Sequence, residues 1–283
     1  MRLRSHGVTL SRRRVQDLLA AHGLRPSRAL GQNFVADPNT VRRIARLAGV
    51  GPGDHVVEIG AGLGSLTLAL AETGASVTAV ELDRHLVPVL REVVADTGVR
   101  VVEGDARTLD WTELLAGADR WVLVANLPYN VATPLVIELL EGVPAIDRML
   151  VMVQREVGER LAAGVGDEAY GAVSVKVDYW ASAAVVGRVP ATVFVPQPRV
   201  ESVLVRIDRR PSPPVDVDYD ALFTLVRGGF AHRRKMLRRA LAGVVSPAAF
   251  EAAGIRPEAR AEELDLAAWG RLARCVSSTP EPS

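Results

Sequence analysis

Short apolar runs alternate with stretches of helical periodicity between residues 55 and 208. Because each apolar run is nearly continuous, it predicts a strand in a sheet that is covered on both faces. The predicted strands span residues 55–60, 76–81, 99–105, 120–126 and 148–154, with helices between them at 65–73, 85–96 and 133–141. Such repeated strand–helix units predict an α/β fold with a parallel, doubly wound sheet. Two later runs, 174–186 and 201–208, are expected to complete that sheet.

The pattern changes after residue 209. Residues 209–220 are proline-rich and then acidic, which is typical of a linker. The stretches beyond it predict helices joined by loops, without a strand, at 220–244, 246–254 and 264–276. We therefore predict an N-terminal α/β domain over residues 1–210 and a small helical C-terminal domain over residues 215–278.

Composition narrows the class of protein. The net charge of +1 does not by itself predict a nucleic-acid partner. The single cysteine, Cys275, excludes an intrachain disulfide and a cysteine-rich zinc site, which fits a reducing cytoplasm. No apolar run approaches the roughly 20 residues that a membrane span needs. We therefore expect a monomeric cytoplasmic enzyme with no membrane partner and no metal site.

A glycine-rich turn follows the first predicted strand of the sheet. Gly60, Gly62 and Gly64 stand between that strand and a helix, where glycines let the backbone approach a ligand closely. Glu81 closes the next strand, where a carboxylate can bind ribose hydroxyls. The third glycine of the dinucleotide fingerprint would fall at Ser65, so the pattern favours an adenosine cofactor without a pyrophosphate. S-adenosylmethionine (SAM) is the common case.

Two further strand ends carry polar side chains. Asp105 follows the third strand, placed to accept a hydrogen bond from an adenine amine, and Asn126 ends the fourth. Ligands of open α/β sheets bind at the carboxyl ends of the strands, so these groups are expected to converge with Gly60 and Glu81. Taken singly, either acid could be a helix cap or a solvated loop residue. Four successive strand ends with matching chemistry favour a cofactor site.

The chain also carries GQNF at residues 31–34 and NLPY at residues 126–129. Together with the strand-end motifs, these segments resemble those of the ribosomal RNA adenine dimethyltransferases. The resemblance covers nearly the whole chain and rests on GQNF and NLPY above all, since neither belongs to methyltransferases in general. Ala61 departs from the family pattern, in which many members carry proline, but the position offers backbone rather than side chain. The matching segments occur in order at residues 30–37, 57–67, 80–84, 103–106, 126–130, 152–171, 193–202 and 230–241.

The resemblance implies a class I, Rossmann-like methyltransferase fold with a mostly parallel seven-stranded sheet and SAM as methyl donor. It implies as substrate two adjacent adenosines in a hairpin loop near the 3′ end of small-subunit rRNA, each dimethylated at N6 within the immature small ribosomal subunit. Gln32 and Phe34 are expected to help close the cofactor pocket. Cofactor contacts are carried over onto Asn33, Val35, Gly60, Gly62, Glu81, Asp105 and Asn126.

The NLPY segment is the expected catalytic centre. Asn126 offers a side-chain oxygen, and Leu127 or Pro128 a rigidly held carbonyl, to the hydrogens of the adenine amine. Tyr129 can stack on an adenine displaced from the RNA. Phe194 matches the family's second aromatic residue and would cover the other face of the base, although without the resemblance an ordinary core position is the preferred interpretation.

A basic cluster in the C-terminal part predicts phosphate contacts along one helix. A solvated helix surface is the alternative, since the chain uses arginine heavily. A second candidate is the run Arg12, Arg13 and Arg14 near the N-terminus. The C-terminal cluster comprises Arg233, Arg234, Lys235, Arg238 and Arg239.

Two other functions stay open at this point. The related large-subunit rRNA adenine methyltransferases share the cofactor and NLPY motifs, so the substrate assignment depends on the C-terminal resemblance and on the GVGDEAYG stretch. A ribosome-assembly or nucleic-acid-binding factor on a methyltransferase fold is the non-enzymatic alternative. The intact glycine and NLPY motifs argue against it, because a pure binding protein need not keep them.

Overall fold

The computed structural model describes residues 9–128, 131–232 and 234–277. The chain divides into two compact units: Met1–Gly158 with Ala184–Arg209, and Glu159–Ala183 with Arg210–Ser283. The predicted division into residues 1–210 and 215–278 did not foresee that Glu159–Ala183 groups with the C-terminal residues. Among the described residues, no helix is both long and apolar enough to cross a membrane.

The α/β prediction is confirmed by a seven-stranded sheet with the strand order β4-β3-β2-β5-β6-β9-β7. The pairs β2–β3, β3–β4, β2–β5 and β5–β6 are parallel, and β6–β9 is antiparallel. A separate two-stranded sheet joins β1 to β8. The strands are β1 Phe34–Val35, β2 His55–Ile59, β3 Ser76–Glu81, β4 Arg100–Glu103, β5 Trp121–Asn126, β6 Ile146–Gln154, β7 Ala181–Val189, β8 Phe194–Val195 and β9 Ser202–Arg209.

Helices follow most of the strands of the first unit, and they are the main regular elements described in the second. Short 3₁₀ turns lie at Ala191–Val193 and Ala261–Glu263. The α-helices are α1 Arg12–Ala21, α2 Pro38–Ala48, α3 Ser65–Ala71, α4 Val87–Val93, α5 Trp111–Leu114, α6 Ala132–Gly142, α7 Arg155–Ala162, α8 Ala172–Trp180, α9 Tyr219–Ala231, α10 Leu237–Ala240, α11 Pro247–Ala252 and α12 Leu266–Ser277.

The sheet order explains where polar strand ends meet. Strand β5 is buried from Trp121 to Ala125, so apolar packing fixes it at the centre of the sheet. Its neighbour β2 and the next strands β3 and β4 run parallel to it. The carboxyl ends of these four strands therefore share one edge, which carries the glycine turn, Glu81, Asp105 and Asn126.

The sequence prediction of a strand over residues 174–186 is wrong for residues 174–180. Only the later part is extended, in β7, whereas the earlier part is helix α8. Val175 and Tyr179 lie one helical turn apart and both pack in the core of the second unit. Packing of this face outweighs the strand propensity of valine and tyrosine, which is a weak preference that tertiary context readily overrides.

The sequence predicted a single helix for the basic stretch at 230–241, and this prediction is wrong. Helix α9 ends at Ala231 and α10 begins at Leu237. Two backbone N–H groups leave the helical pattern: that of Leu237 donates to the Ala259 carbonyl at 2.8 Å and that of Arg238 to the Pro257 carbonyl at 3.1 Å. Bonds to a distant segment therefore replace the bonds that would continue α9.

Arg209 fastens the end of α6 to the sheet. Its guanidinium donates to the carbonyl oxygens of Ile146, Leu140, Leu139 and Val143 at 2.7–3.1 Å. The last carbonyls of a helix have no partner within the helix, and a cation near them also complements the helix dipole. Burial lowers the pKa of Arg209, while the nearby charge of Asp147 opposes that shift.

We expect Arg209→Met to lower the free energy of unfolding by about 2–4 kcal/mol, because four carbonyl oxygens each lose a charged donor at once, although those of Leu139 and Val143 keep a backbone N–H donor. Urea unfolding followed by circular dichroism measures the change. Arg206→Met on the same strand is the matched control, since Arg206 only bonds the half-exposed Asp208. Its cost should stay below about 1 kcal/mol. Equal losses for the two variants would contradict a capping role for Arg209.

Candidate active site

A cavity of about 250 Å³ lies at the shared edge of the sheet. Its walls come from the segments 29–35, 58–63, 80–82 and 104–107, together with Asn126 and Pro128. The structure thus brings together the cofactor residues expected from the sequence: Asn33, Val35, Gly60, Gly62, Glu81, Asp105 and Asn126 all line this cavity. Gln32 and Phe34 line it as well.

The glycine turn is held against the end of β3. The N–H of Gly60 donates to the Val80 carbonyl at 2.9 Å, and the N–H of Gly62 donates to Oε2 of Glu81 at 2.7 Å. Both glycines have positive φ angles, 73° and 58°, which side chains other than glycine rarely adopt. The glycines are therefore required by the turn itself, and the turn shapes the cavity wall.

Glu81 is a buried carboxylate with two backbone donors. Besides the bond from Gly62, its Oε1 accepts from the N–H of Asp83 at 2.8 Å. Burial raises the pKa of Glu81, whereas the bonds from Asp83 and Gly62 lower it. Each carboxylate oxygen can accept more than one hydrogen bond, so Glu81 keeps acceptor capacity for ligand hydroxyls in the cavity.

The segment 29–35 closes one side of the cavity through polar bonds. Gln32 bonds in two directions, since Nε2 donates to Oδ2 of Asp83 at 2.8 Å and Oε1 accepts from the N–H of Ser27 at 2.7 Å. Gly31 lies against Pro128: a Cβ on Gly31 would approach the proline Cβ to 3.0 Å. The segment therefore contacts the NLPY turn directly.

Asn126 ends β5 between this segment and the rest of the cavity. Its Nδ2 donates to the Asn33 carbonyl at 3.0 Å. This bond fixes the orientation of the amide group. Its oxygen, Oδ1, is the atom of Asn126 that can accept a hydrogen bond from a ligand. The side chain is thereby oriented before any substrate arrives.

The geometry separates the two backbone carbonyls that the sequence left as alternatives. The Pro128 carbonyl accepts from the N–H groups of Val131 and Ala132 at 3.2 and 3.1 Å, which fills both of its acceptor positions. The Leu127 N–H donates to the Met152 carbonyl at 3.1 Å, and no described N–H donates to the Leu127 carbonyl. Leu127 is therefore the better source of a second acceptor.

Asp105 is paired with Arg107, a residue that the sequence interpretation did not include. Two guanidinium nitrogens of Arg107 lie 2.6 and 3.1 Å from the carboxylate oxygens. Hydrogen bonding to Arg107 lowers the pKa of Asp105, so this carboxylate is ionised. Both side chains line the cavity. A basic residue two positions after a strand-end acid was the available signal.

The apolar walls were also missed. Leu82 lines the cavity with 48% of its surface exposed, and Ala106 lines it after Asp105. Exposed leucine beside a strand-end carboxylate provides a flat apolar contact for an aromatic ring. The signal in the sequence was an apolar residue directly after Glu81, where a solvated turn would favour a polar one.

Phe194 does not occupy the position expected for a residue that covers the adenine. It is 1% exposed and packs in the core with Val35 and Leu204, away from the cavity wall. The cause is strand pairing, because β8 pairs with β1 in the register Val35↔Phe194. The alternative of a core phenylalanine is the one that this structure favours. Tyr129, its expected counterpart, lies outside the described residues.

The candidate RNA contacts are unequal in availability. Arg234, Lys235 and Arg239 are exposed, whereas Arg238 lies 3.3 Å from a carboxylate oxygen of Glu258. Arg233 lies outside the described residues. In the N-terminal run, Arg12 donates to the carbonyls of Thr192 and Phe194, and Arg13 pairs with Asp17 at 3.9 Å. The hydrogen bonds of Arg12 therefore stabilise β8.

The cavity fits an adenosyl cofactor by the chemistry of its lining. Glu81 offers a buried acceptor for ribose hydroxyls, Asp105 an acceptor for an amine, and Leu82 and Ala106 apolar surface for a ring. Two solved structures share the fold of this chain. A dimethyladenosine transferase from Plasmodium falciparum matches with a TM-score of 0.72 at 24% identity, covering 84% of this chain and 95% of its own. The 23S rRNA methyltransferase ErmE matches with a TM-score of 0.69 at 25% identity, covering 87% and 100%.

Sequence comparison identifies the family. A protein named ribosomal RNA small subunit methyltransferase A from Thermobifida fusca is 48% identical over 92% of this chain and 93% of its own length. A protein of the same name from Cutibacterium acnes is 49% identical over 94% and 92%. The family model described as "Ribosomal RNA adenine dimethylase" matches residues 24–277. With the class I methyltransferase fold and SAM as its cofactor, the chain therefore belongs to the ribosomal RNA adenine dimethylase family.

Proposed function

We propose that this chain dimethylates N6 of two adjacent adenosines in the 3′-terminal hairpin loop of small-subunit rRNA, with SAM as methyl donor. The observation that carries the proposal is the placement of Asn126. Its Nδ2 is fixed by the Asn33 carbonyl, and its Oδ1 is left for a substrate amine at the edge of the cofactor cavity. The full-length relatives named for the small subunit support the choice of substrate.

The chemical difficulty lies in the adenine amine. Its lone pair is delocalised into the ring, so the nitrogen is a poor nucleophile. Acceptors aimed at both amine hydrogens favour a more tetrahedral nitrogen and free the lone pair. Oδ1 of Asn126 and the Leu127 carbonyl are the two acceptors that we assign to this role. Both are fixed before the reaction, so they need little reorganisation.

The cofactor supplies an electrophilic methyl group on a positively charged sulfur. We assign the binding of this cofactor to Glu81, Asp105, Asn126 and the glycine turn, with Asn33 and Val35 on the closing segment. The methylated amine is acidic and can lose its proton to water, so the residues need supply no strong general base. Catalysis then consists mainly of orientation and fixed dipoles.

We assign base stacking to Tyr129 on the strength of the family motif. A stacked base gains about 1–3 kcal/mol on an aromatic ring. The core position of Phe194 gives it no contact with the cavity, so we assign it the support of β1, whose Val35 pairs with it and lines the cavity.

We assign recognition of the rRNA to contacts between basic side chains and the RNA phosphates, and to the folded shape of the RNA. Arg234, Lys235 and Arg239 offer exposed cations for phosphates, with Arg238 partly neutralised by Glu258. Such contacts position the RNA, and its folded shape supplies the specificity. We further propose that the protein acts as a monomer in the cytoplasm, on the immature small subunit.

The large-subunit alternative has weaker support. ErmE, whose name specifies 23S rRNA, is 25% identical to this chain, against 48–49% for the small-subunit relatives. A non-enzymatic assembly factor would not need the preset amide of Asn126. An additional role of binding in subunit assembly is compatible with the catalytic one.

Wild-type protein should transfer label from radioactive SAM to adenosines at the 3′ end of the rRNA in unmethylated small subunits. Asn126→Ala should lower transfer at least a hundredfold, because the amine loses a fixed acceptor. Nucleoside analysis of the digested rRNA measures the dimethyladenosine formed. No label in adenosine at the rRNA 3′ end, or transfer only to 23S rRNA offered in a parallel reaction, would refute the proposed function.

Subunit binding distinguishes chemistry from structure in the same variant. Asn126→Ala should bind the small subunit within about threefold of wild type, since the phosphate contacts are elsewhere. Gln154→Ala, at the partly buried end of neighbouring β6, is a matched amide control that should keep activity. Loss of subunit binding in Asn126→Ala would instead assign that residue a structural role.

The basic cluster is tested by charge reversal. Arg234→Glu with Lys235→Glu should weaken subunit binding at least tenfold at low salt, where screening is least, and less at high salt. Filter binding over a salt series gives the affinity and its salt slope. Arg46→Glu with Arg91→Glu makes the same change of charge on exposed positions of α2 and α4, and serves as control. Unchanged affinity of the first variant at low salt would make the cluster an ordinary solvated surface.

A further inference from the structure

Glu58 is a second buried carboxyl group at the cofactor cavity, and the proposed chemistry gives it no role. It lies in β2, two residues before Gly60, and lines the cavity with only 2% of its surface exposed. Its Oε2 has no hydrogen-bond partner among the described residues. An ionised carboxylate in this position would leave negative charge on a buried, unpaired oxygen, which is costly.

Among the described residues, the charge that acts on Glu58 is negative, and no cation stabilises its carboxylate. Glu81 on β3 is the acid whose charge acts on Glu58, and Asp105 and Arg107 also line the cavity. On β5 the register partner is Val124, and helix α3 contributes Ser65 and Thr67, none of which titrates.

Burial, with the charge of Glu81, raises the pKa of Glu58 to about 8, and the adjacent Thr67 hydroxyl opposes the shift. This hydroxyl also lacks a hydrogen-bond partner among the described residues. It can rotate to donate to the carboxylate when Glu58 ionises.

We propose that Glu58 is a proton-linked cofactor-binding residue, protonated without cofactor and ionised when a cationic group of SAM enters the cavity. The O–H bond of the carboxyl breaks, its electron pair stays on the carboxylate, and the proton passes to water. The cation then neutralises the charge that burial had opposed. Binding of SAM is thereby coupled to release of a proton.

The linkage has a fixed sign. Below a pKa of about 8 the free protein must lose a proton to bind, so SAM affinity rises with pH, by up to about tenfold per pH unit. Above that pKa the dependence ends. The inference rests on SAM as cofactor and not on the choice of RNA substrate.

Isothermal titration calorimetry of the full chain with SAM alone tests the linkage. Titrations at pH 6.5 in phosphate and in imidazole buffer give the number of protons released from the buffer dependence of the heat. We expect about one more proton released by wild type than by Glu58→Gln. Glu113→Gln, the same change at an exposed position of α5, should match wild type. Subtracting the proton release of Glu58→Gln from that of wild type removes the protons that come from the ligand or from other groups.

Difference infrared spectroscopy of wild type makes the test independent of the variant's folding. The carbonyl band of a protonated carboxyl should be present in the free protein and disappear when SAM is added. Equal proton release by wild type and folded Glu58→Gln, or a carboxyl band that SAM leaves unchanged, would overturn the proposal. Neither result would bear on the RNA methylation reaction, since no RNA is present.

Discussion

The two hydrogen bonds that the Glu81 carboxylate accepts hold the cofactor cavity in shape. One oxygen binds the N–H of Gly62 in the glycine turn, and the other binds the N–H of Asp83 beyond β3. Asp83 in turn accepts from Gln32 on the closing segment. Three walls of the cavity are therefore joined through the side chains of Glu81 and Asp83. A carboxylate suits this place because charged acceptors form stronger bonds to backbone donors than neutral ones do.

A second connection joins the cofactor cavity to the catalytic turn. Asn33 and Gln32 are neighbours on the closing segment, and Asn33 accepts the bond that orients Asn126. Gly31 packs on Pro128 within the same segment. The segment that lines the cofactor cavity thus also orients Asn126, the acceptor that we propose for the substrate amine. Displacement of this segment would disturb both functions together, which gives a physical reason for GQNF and NLPY to occur in one chain.

The sequence predicts what local pattern and strand order determine. Continuous apolar runs identify the parallel strands, and parallel strands alone are enough to bring Glu81 and Asn126 to one edge. Features that depend on distant partners were not predictable. Helix α9 ends before Leu237 because that residue bonds Ala259, and α8 is helical because Val175 and Tyr179 face a core built from later residues. Residue type alone does not reveal such partners.

Single side chains follow the same rule. The family resemblance implied that Phe194 covers the substrate base, yet pairing of β8 with β1 places it in the core. Arg209 looked like a linker residue but bonds carbonyls more than 60 positions away. Glu58 stands in an apolar strand whose pattern gives no sign that its carboxyl reaches a cavity. Burial decides the chemistry in each of these cases, and burial is a property of the assembled fold.

The three acids around the cavity differ in the groups that stabilise their negative charge. Asp105 stays ionised because Arg107 pairs with it, Glu81 has backbone donors, and Glu58 has neither. A site with this negative charge binds a cationic ligand more favourably than a neutral one. Methyl transfer converts the charged sulfur of the donor to a neutral thioether, so these carboxylates interact less favourably with the product than with the donor. The electrostatic preference that favours binding of the donor therefore also favours release of the spent cofactor.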